Sequence, residues 1–493
     1  MTSISNMTNN EVIAKTKRAT IWTFVTEIFA KLASPVSSIV LARLLAPEIF
    51  GIATAATIVT SFCETISEAG FSKYLIQHDF SSDDEYKKSI SLSLISNFIL
   101  SILLIAVIFI FRYQFSYLIG NTGYEAVLFI SSFQIPFASL SSIFIAILRR
   151  KFEFKKLFFL RLINVISPFL ITVPLAFIGF SYWSLVIGSL ATSIIQFIVL
   201  ILFSKFRIKL TFSFSLFKNM ISASFIMLIE SLVIWMCSWI VVFITSIYFN
   251  NYYVGIIKIS NSTITSIFGI ISGAITPVLF SSLSRLKDND TFKIVFLKMT
   301  RLSAYFVVPM AIGCFAYSDY IVDIFLGSNW IDAGIAVAFF ALSRPFLNSL
   351  SFHLSEVFRS KGHFSTSLLY QIILFSISLV LMLIGAQISF EWFVIFIAIS
   401  NFVGSLVSFL FLTKKYHFSF AKLINCFIPS FIFSLLFIPI SLISKFYSFS
   451  KYQIIGQMLC CAIIYFVFAF LFDRYLINDI KKIFNKNNST KEI

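Results

Sequence analysis

Glu27, Lys31, Glu64, Arg161, Glu230, Lys258 and Arg344 all fall inside runs of apolar residues long enough, at about 20 residues, to cross a bilayer. A charge held at bilayer depth costs about 2.5–3.5 kcal/mol on insertion scales, so it either lines a polar path or pairs with a neighbour. At about 1.5 Å of rise per residue, Lys31 lies roughly 18 Å from the cytoplasmic end of its run, Glu230 about 16 Å into its own and Arg344 roughly 20 Å into its own. Glu27 is one turn from Lys31 on the same face, which lets the two pair. Glu64 and Glu68 share a face of the next run, and its return direction brings Glu64 to about the level of Glu27. Arg344 is followed by Pro345, whose freed backbone carbonyl is best tolerated beside a wet cavity. Arg161 and Lys258 lie only about five residues inside their runs, within reach of the interface by snorkelling.

Fixed cations at this depth suit an anion, and a guanidinium fork matches phosphate oxygens. Buried carboxylates suit a coupling proton or cation. Lys31, Arg344, Arg161 and Lys258 are therefore the candidate cationic path, with Glu27, Glu64 and Glu230 as coupling or pairing carboxylates. Mutual neutralisation fits the same spacing equally well. No other chemistry is legible. The four histidines are scattered, and the six cysteines sit in or beside apolar runs without metal-ligand spacing. No GxxxxGK[ST], HExxH or GxSxG pattern occurs, so neither a catalytic residue, a metal nor a cofactor is expected. Asp83-Asp84-Glu85 reads as a solvated loop.

The elements that position these residues are spans of a membrane protein. The chain is 58% hydrophobic and 12% charged, far from a soluble domain. Apolar runs at 19–44, 51–69, 89–111, 124–147, 157–178 and 183–203 are followed by 219–248, 254–280, 299–326, 331–357, 364–384, 391–412, 418–444 and 453–473. That pattern predicts an all-α integral membrane fold of about fourteen spans, starting with a retained first helix rather than a cleaved signal. Most of the 38 lysines and arginines fall before residue 19, in 70–88, 148–156, 204–218, 281–298, 358–363 and 413–422, and after 473. Arg112, Lys445 and Lys451 lie on the opposite side. The bias places both termini in the cytoplasm of an inner (plasma) membrane, and it explains the net charge of +16 without a nucleic-acid partner. The chain divides into a six-helix bundle (1–203), a cytoplasmic linker (204–218), a second six-helix bundle (219–412) and two further helices with a cytoplasmic tail (413–493). A weak repeat with a shift of about 204 residues relates the bundles: Phe50-Gly51 corresponds to Val254-Gly255.

Leu41-Ala42-Arg43-Leu44-Leu45-Ala46-Pro47-Glu48-Ile49-Phe50-Gly51 resembles the "LARLLxPExFG" corner of the Wzx-type polysaccharide flippases, a branch of the MOP (MATE-like) exporter superfamily. Glu68-Ala69-Gly70-Phe71-Ser72 with Leu75-Ile76-Gln77 is similar to that family's "ExGFSxxLIQ" segment. Leu148-Arg149-Arg150-Lys151-Phe152 resembles its basic fourth loop, and Gly179 with Trp183-Ser184-Leu185-Val186-Ile187-Gly188 its fifth corner. Tyr253-Val254-Gly255 and Pro277 are looser matches. The resemblance implies two helical bundles around a central cavity plus two C-terminal helices. It implies translocation of undecaprenyl-pyrophosphate-linked oligosaccharide units by alternating access, driven by a proton or sodium ion gradient or the membrane potential. It also implies a role in O-antigen, capsule or exopolysaccharide synthesis, with membrane lipid and polysaccharide-assembly proteins as partners. Cationic cavity residues receive the head group in that family, a role Lys31 and Arg344 match by position. The alternatives are another exporter of the superfamily, such as a lipid II flippase or a drug/cation antiporter. A membrane-embedded polymerase or ligase fits less well, because no large extracytoplasmic loop is present.

Overall fold

The computed structural model describes residues 26, 29, 30, 33, 35–68, 70–78, 80, 82–204, 213–285, 289–346, 364–447 and 449–472. Among these, every regular element is helical. Eleven helices are long and apolar enough to cross a membrane, and Pro35–Leu44 and Ala333–Pro345 are shorter apolar helices. The chain is a multi-pass α-helical membrane protein. Helices occupy the expected crossings wherever residues are described; the first and tenth crossings are described only in part.

Contacts group the chain into two compact units, 1–266 and 267–493. Unit 1 contains α1 (Pro35–Leu44), α2 (Pro47–Ser67), the short α3 (Phe71–Gln77) and α4 (Asp83–Ile110). It continues through α5 (Arg112–Leu118), α6 (Glu125–Ser132), α7 (Gln134–Arg150), α8 (Phe154–Ser167), α9 (Val173–Phe177) and α10 (Tyr182–Ser204). It ends with α11 (Phe214–Tyr248) and the first part of α12 (Asn251–Arg285). Within unit 1, α11 lies along α2 and α3. A π-helical turn, Pro168–Thr172, joins α8 to α9; Pro168 and Pro174 supply no backbone donor there.

The α1–α2 corner shows why its residues are spaced as they are. Ala46 is extended (φ −71°, ψ 158°), and Pro47 opens α2, where its missing N–H goes unused. One turn later the helix makes its tightest contact. A Cβ on Gly51 would overlap the Asn251 carbonyl oxygen, and a Cβ on Gly255 would overlap the Pro47 carbonyl oxygen. Each glycine thus abuts the residue four positions before its counterpart. The exchange is reciprocal, as a two-fold axis between α2 and α12 requires. Glycine is needed on both sides because only a bare Cα lets the backbones approach this closely.

Helix α4 shows what holds unit 1 together. Its buried face carries Ser89, Ser93, Asn97 and Ser101, whereas Ile99, Ile102, Leu103 and Ile110 are exposed. This is the inverse of a soluble helix. In lipid, apolar side chains gain nothing by turning inward, so small side chains and hydrogen bonds make the interface. Asn97 donates to the Ser139 carbonyl of α7 at 3.2 Å, and the Ser67 and Ser101 hydroxyls bond at 2.8 Å. Apolar cores form nearer each end, one around Leu75, Ile90 and Phe144 and the other around Ile52, Ala56 and Leu128.

Unit 2 holds the rest of α12, then α13 (Asn289–Ala316), α14 (Ser318–Ile321) and α15 (Ala333–Phe346). After residues outside the description come α16 (Phe364–Ile388) and α17 (Phe390–Tyr416). The run expected at 418–444 is broken into α18 (Phe420–Ile424), α19 (Ile428–Ser434) and α20 (Phe437–Phe446), with prolines in the first turns of the latter two. α21 (Lys451–Phe472) follows, anchored where the Tyr465 hydroxyl donates to the Tyr305 carbonyl at 3.0 Å and Gln457 to the Ile440 carbonyl at 2.7 Å.

Gly51→Ala and Gly255→Ala are each expected to lose about 1–3 kcal/mol of stability through overpacking. Thermal unfolding in detergent measures this, with Gly456→Ala as the control because its Cβ would meet nothing within 4 Å. Equal melting temperatures for Gly255→Ala and Gly456→Ala would contradict the contact.

Candidate functional site

Of the seven ionisable residues singled out by sequence, Glu27 and Lys31 lie outside the described residues, and for Glu230 only the backbone, in α11, is described. Arg161 is exposed on α8; Glu64 on α2, Lys258 on α12 and Arg344 in the last turn of α15 are half-buried. Arg344 belongs to unit 2 and the other described residues to unit 1.

Lys258 opens onto a cavity of about 210 Å³ inside unit 1. Seven residues after the start of α12, it stands about 10 Å along the helix axis. Ser38, Thr54, Thr57, Gln134, Ser189 and Ser262 contribute polar lining from five other positions on α1, α2, α7 and α10 and one on α12 itself. The ammonium sits 5.1 Å from the centroid of the Trp239 ring, near enough for a cation–π contact. Among the described residues it has no carboxylate or hydrogen-bond partner. A charge so placed needs water or an anion, and the hydroxyl lining makes room for either.

The hydroxyls are held by their own helices. Thr57 donates to the Ala53 carbonyl at 2.8 Å and Ser189 to the Val186 carbonyl at 2.9 Å, while the Gln134 amide donates to the Thr60 hydroxyl at 2.9 Å. These residues were not singled out by sequence. Their signal was Thr54 and Thr57 one turn apart in an apolar run, which marks a polar helix face. At the start of α12, Asn251 donates to the Asn121 side chain at 2.9 Å and Asn121 to the Ile52 carbonyl at 3.2 Å. This clasp sits beside the glycine crossing.

Deeper along α2, the Trp235 indole donates to the Ser61 hydroxyl at 3.0 Å and its ring packs on Phe62 with centroids 4.9 Å apart. α2 and α11 run in opposite senses, so this contact fixes their register. Glu64 lies three residues inward on α2 and the Glu230 backbone five residues inward on α11, about 4.5 and 7.5 Å along their axes. The two positions share a level.

The segment after α3 is held by Arg150, which donates to the carbonyls of Leu75, Ile76 and His78 at 3.0, 3.2 and 2.8 Å. These are carbonyls that α3 leaves open at its C-terminus. Its guanidinium also stacks 4.9 Å from the Phe80 centroid and 5.2 Å from that of Tyr86. Gly70, at φ 73°, breaks the helix between α2 and α3 and lets the Phe71 amide bond to the Glu68 carbonyl at 2.9 Å. Beside it, burial and then the Glu85 carboxylate hold the Tyr74 hydroxyl above its ordinary pKa.

Among the described residues, unit 2 holds an apolar cleft. It has a volume of about 290 Å³ and runs between α13, α15, α17 and the broken α18–α19 segment, lined by Ile312, Leu342, Pro345, Phe402 and Phe427. No metal-binding group of three or more ligands occurs among the described residues.

The fold is that of the MOP-superfamily transporters. It matches the inward closed conformation of the lipid II flippase MurJ with a TM-score of 0.77 and 17% identity, covering 93% of this chain and 100% of that one. An inward-facing multidrug resistance MATE family transporter of the MOP superfamily matches with a TM-score of 0.60 and 13% identity, over 81% of this chain and 98% of that one. Within that fold the chain belongs to the polysaccharide biosynthesis protein family, whose model matches residues 40–336. It is 23% identical to the succinoglycan biosynthesis transport protein ExoT of Rhizobium meliloti (strain 1021) over 63% of this chain. It is also 23% identical to an uncharacterized membrane protein in the cps region of Klebsiella pneumoniae over 64% of this chain. The matched segments span 63% and 65% of those relatives, less than two thirds of their length.

Removing the Arg150 side chain leaves three helix-end carbonyls without their donor. Arg150→Ala is expected to destabilise unit 1 by about 1.5–3 kcal/mol, and Arg150→Lys to recover only part because an ammonium cannot stack as a plane. Melting temperature and protease cleavage in 76–82 report the effect; an unaltered Arg150→Ala protein would refute the clasp.

Proposed function

We propose that this protein flips lipid-linked oligosaccharide repeat units, carried on undecaprenyl pyrophosphate, from the cytoplasmic to the periplasmic leaflet of the inner membrane by alternating access. The observation that carries the reading is the hydroxyl-lined cavity around Lys258, a polar, cationic space inside a unit whose exterior is apolar. A sugar-phosphate head group needs such surroundings to cross hydrocarbon. Family membership and the transport named for the Rhizobium relative support the same reading. No covalent chemistry is required of the chain.

In this reading Lys31, Arg344, Arg161 and Lys258 form the cationic path, with Arg344 offering the phosphates a planar fork. Glu64 and Glu230, at one level, and Glu27 carry a coupling proton or sodium ion. The apolar cleft of unit 2 suits a prenyl tail. Fourteen crossings, two pseudo-symmetric bundles (1–203 and 219–412) joined by 204–218, the added helices of 413–493 and cytoplasmic termini complete the plan. O-antigen, capsule or exopolysaccharide assembly proteins are the partners. A second reading, flipping of lipid II itself, is favoured by the match to that flippase over nearly the whole chain.

Deleting the gene is expected to strand the lipid-linked oligosaccharide on the cytoplasmic leaflet, read by its inaccessibility to a periplasmic probe. Full delivery without the protein would sink the proposal. Arg344→Ala is expected to insert normally but to reduce polymer output at least tenfold, as loss of a charged hydrogen bond of about 1.5–3 kcal/mol implies. Unchanged output would remove Arg344 from the path.

A further inference from the structure

A second polar feature of unit 1 lies apart from the cavity, along α4. Tyr86, Ser89, Ser93, Asn97 and Ser101 recur every three or four residues and so share one face, and the last four are fully buried. Four oxygens at this seam have no hydrogen-bond partner among the described residues: Tyr86 Oη, Ser89 Oγ and Asn97 Oδ1 on α4, and Ser139 Oγ on α7. A membrane helix can satisfy a hydroxyl on its own carbonyls, as Ser93 does on Ser89 at 2.8 Å, so these orphans are not a default of the fold. A buried polar atom left dry is costly and rare, and ordered water is its usual partner. The spacing admits one water per turn. Residues four apart are separated by about 6 Å along the axis, and a water hydrogen-bonded on both sides spans roughly 5.5 Å.

At its far end the seam meets α2. The Ser101 hydroxyl donates to the Asn97 carbonyl at 2.6 Å, so in its 2.8 Å pair with Ser67 the hydrogen comes from Ser67. The lone pairs of Ser67 are left for Glu64, one turn earlier on α2 and about 4.5 Å away along the axis. These hydrogens run away from Glu64, the order that accepts its proton. Glu64 also lies two turns past Thr57 on one face of α2, between the cavity and the seam.

We propose that the seam between α2, α4 and α7 is a proton path, a file of buried water and hydroxyls that connects Glu64 with solvent at the start of α4. In transfer, Glu64 gives its proton to Ser67 as Ser67 gives its own to Ser101. Ser101 turns its hydrogen to the water at Asn97 Oδ1, and that water and those beyond pass one proton each towards Tyr86. Every oxygen of the file keeps its complement of protons, one proton reaches solvent, and Glu64 is left a carboxylate. Asn97 holds a water and relays nothing. The other charged groups along the path are Glu68, which faces Lys73 and Arg149, and Arg150, which stacks on Tyr86. This path rests on the flippase reading, in which Glu64 carries a coupling ion, and it names that ion as a proton. A sodium ion needs several oxygens around one point, whereas the file offers its oxygens one turn at a time.

Stopped-flow infrared spectroscopy of the protein in detergent reads the Glu64 carboxyl band after a pH jump, with Glu64→Gln as the blank. Asn97→Leu fills the place of a water, and Ser101→Ala breaks the file without added bulk. Each is expected to slow the response of that band about tenfold or more, as loss of one bridging hydrogen bond implies. An unchanged rate in either variant, or a wild-type Glu64 that does not follow the jump, would overturn the path. Ser139→Ala tells a watered seam from a dry one. Deleting a hydroxyl that holds water lowers the melting temperature, whereas deleting an orphan from a dry seam leaves it unchanged or raises it. A fall is expected, and its absence counts against the file. Failure of wild-type protein to move lipid-linked oligosaccharide in proteoliposomes defeats the flippase reading, and the infrared rates still rule on the path.

Discussion

The arrangement of unit 1 depends on two backbones touching where neither has a side chain. At the crossing of α2 and α12, Gly51 and Gly255 each meet a carbonyl of the other helix, from Asn251 and Pro47. Everything nearby is set by that approach. It brings Asn251 within reach of Asn121, and Asn121 in turn holds the Ile52 carbonyl. It also delivers Lys258, three residues beyond Gly255, into the space framed by α2, α7 and α10. A single extra methyl group at either glycine would move the cation and its cavity apart. Because the contact is reciprocal, it cannot be half released: separating one glycine from its carbonyl separates the other.

The cavity follows from a problem of solvation. Hydroxyls in a membrane helix satisfy themselves on carbonyls three or four residues back, as Thr57 and Ser189 do. That local bond spares them the need of a partner on another helix, yet it leaves acceptor capacity facing inward. When several such residues converge, the result is a polar pocket that is stable when empty of protein groups. Lys258 then finds surroundings it could not find against lipid. In unit 2, by contrast, aromatic and aliphatic side chains pack around Tyr305, Phe437 and Tyr465, and the cleft between α13, α15 and α17 is apolar.

The spans were readable because bilayer thickness imposes one length on every crossing, and the basic loops because charge is excluded from the same layer. The corner motif was readable for a local reason: Pro47 and Gly51 have roles that no other residues fill as well. The repeat offset paired Gly51 with Gly255, and the crossing brings those two together. Other features could not be read. The break of the 418–444 run depends on where α18 to α20 pack, and the π turn at 168–172 on how α8 and α9 meet α10. The cavity's polar lining was invisible because single serines and threonines are scattered throughout the apolar runs. Only convergence in space separates Thr57 and Ser189 from the many that merely pack. Depth along a helix gives a charged residue its level in the membrane and says nothing of which cavity it faces, as Lys258 shows.

Helix α4 has its demanding side inward and its permissive side outward. Ser89, Ser93, Asn97 and Ser101 must stay small and polar for α2 and α7 to sit against the helix, whereas Ile99, Leu103 and Ile110 need only be greasy. Mutational drift should therefore run freely over the lipid-facing skin and stall on the serine seam. Over long descent such a protein can replace most of its letters and keep its shape, and its ancestry is best sought in the seam.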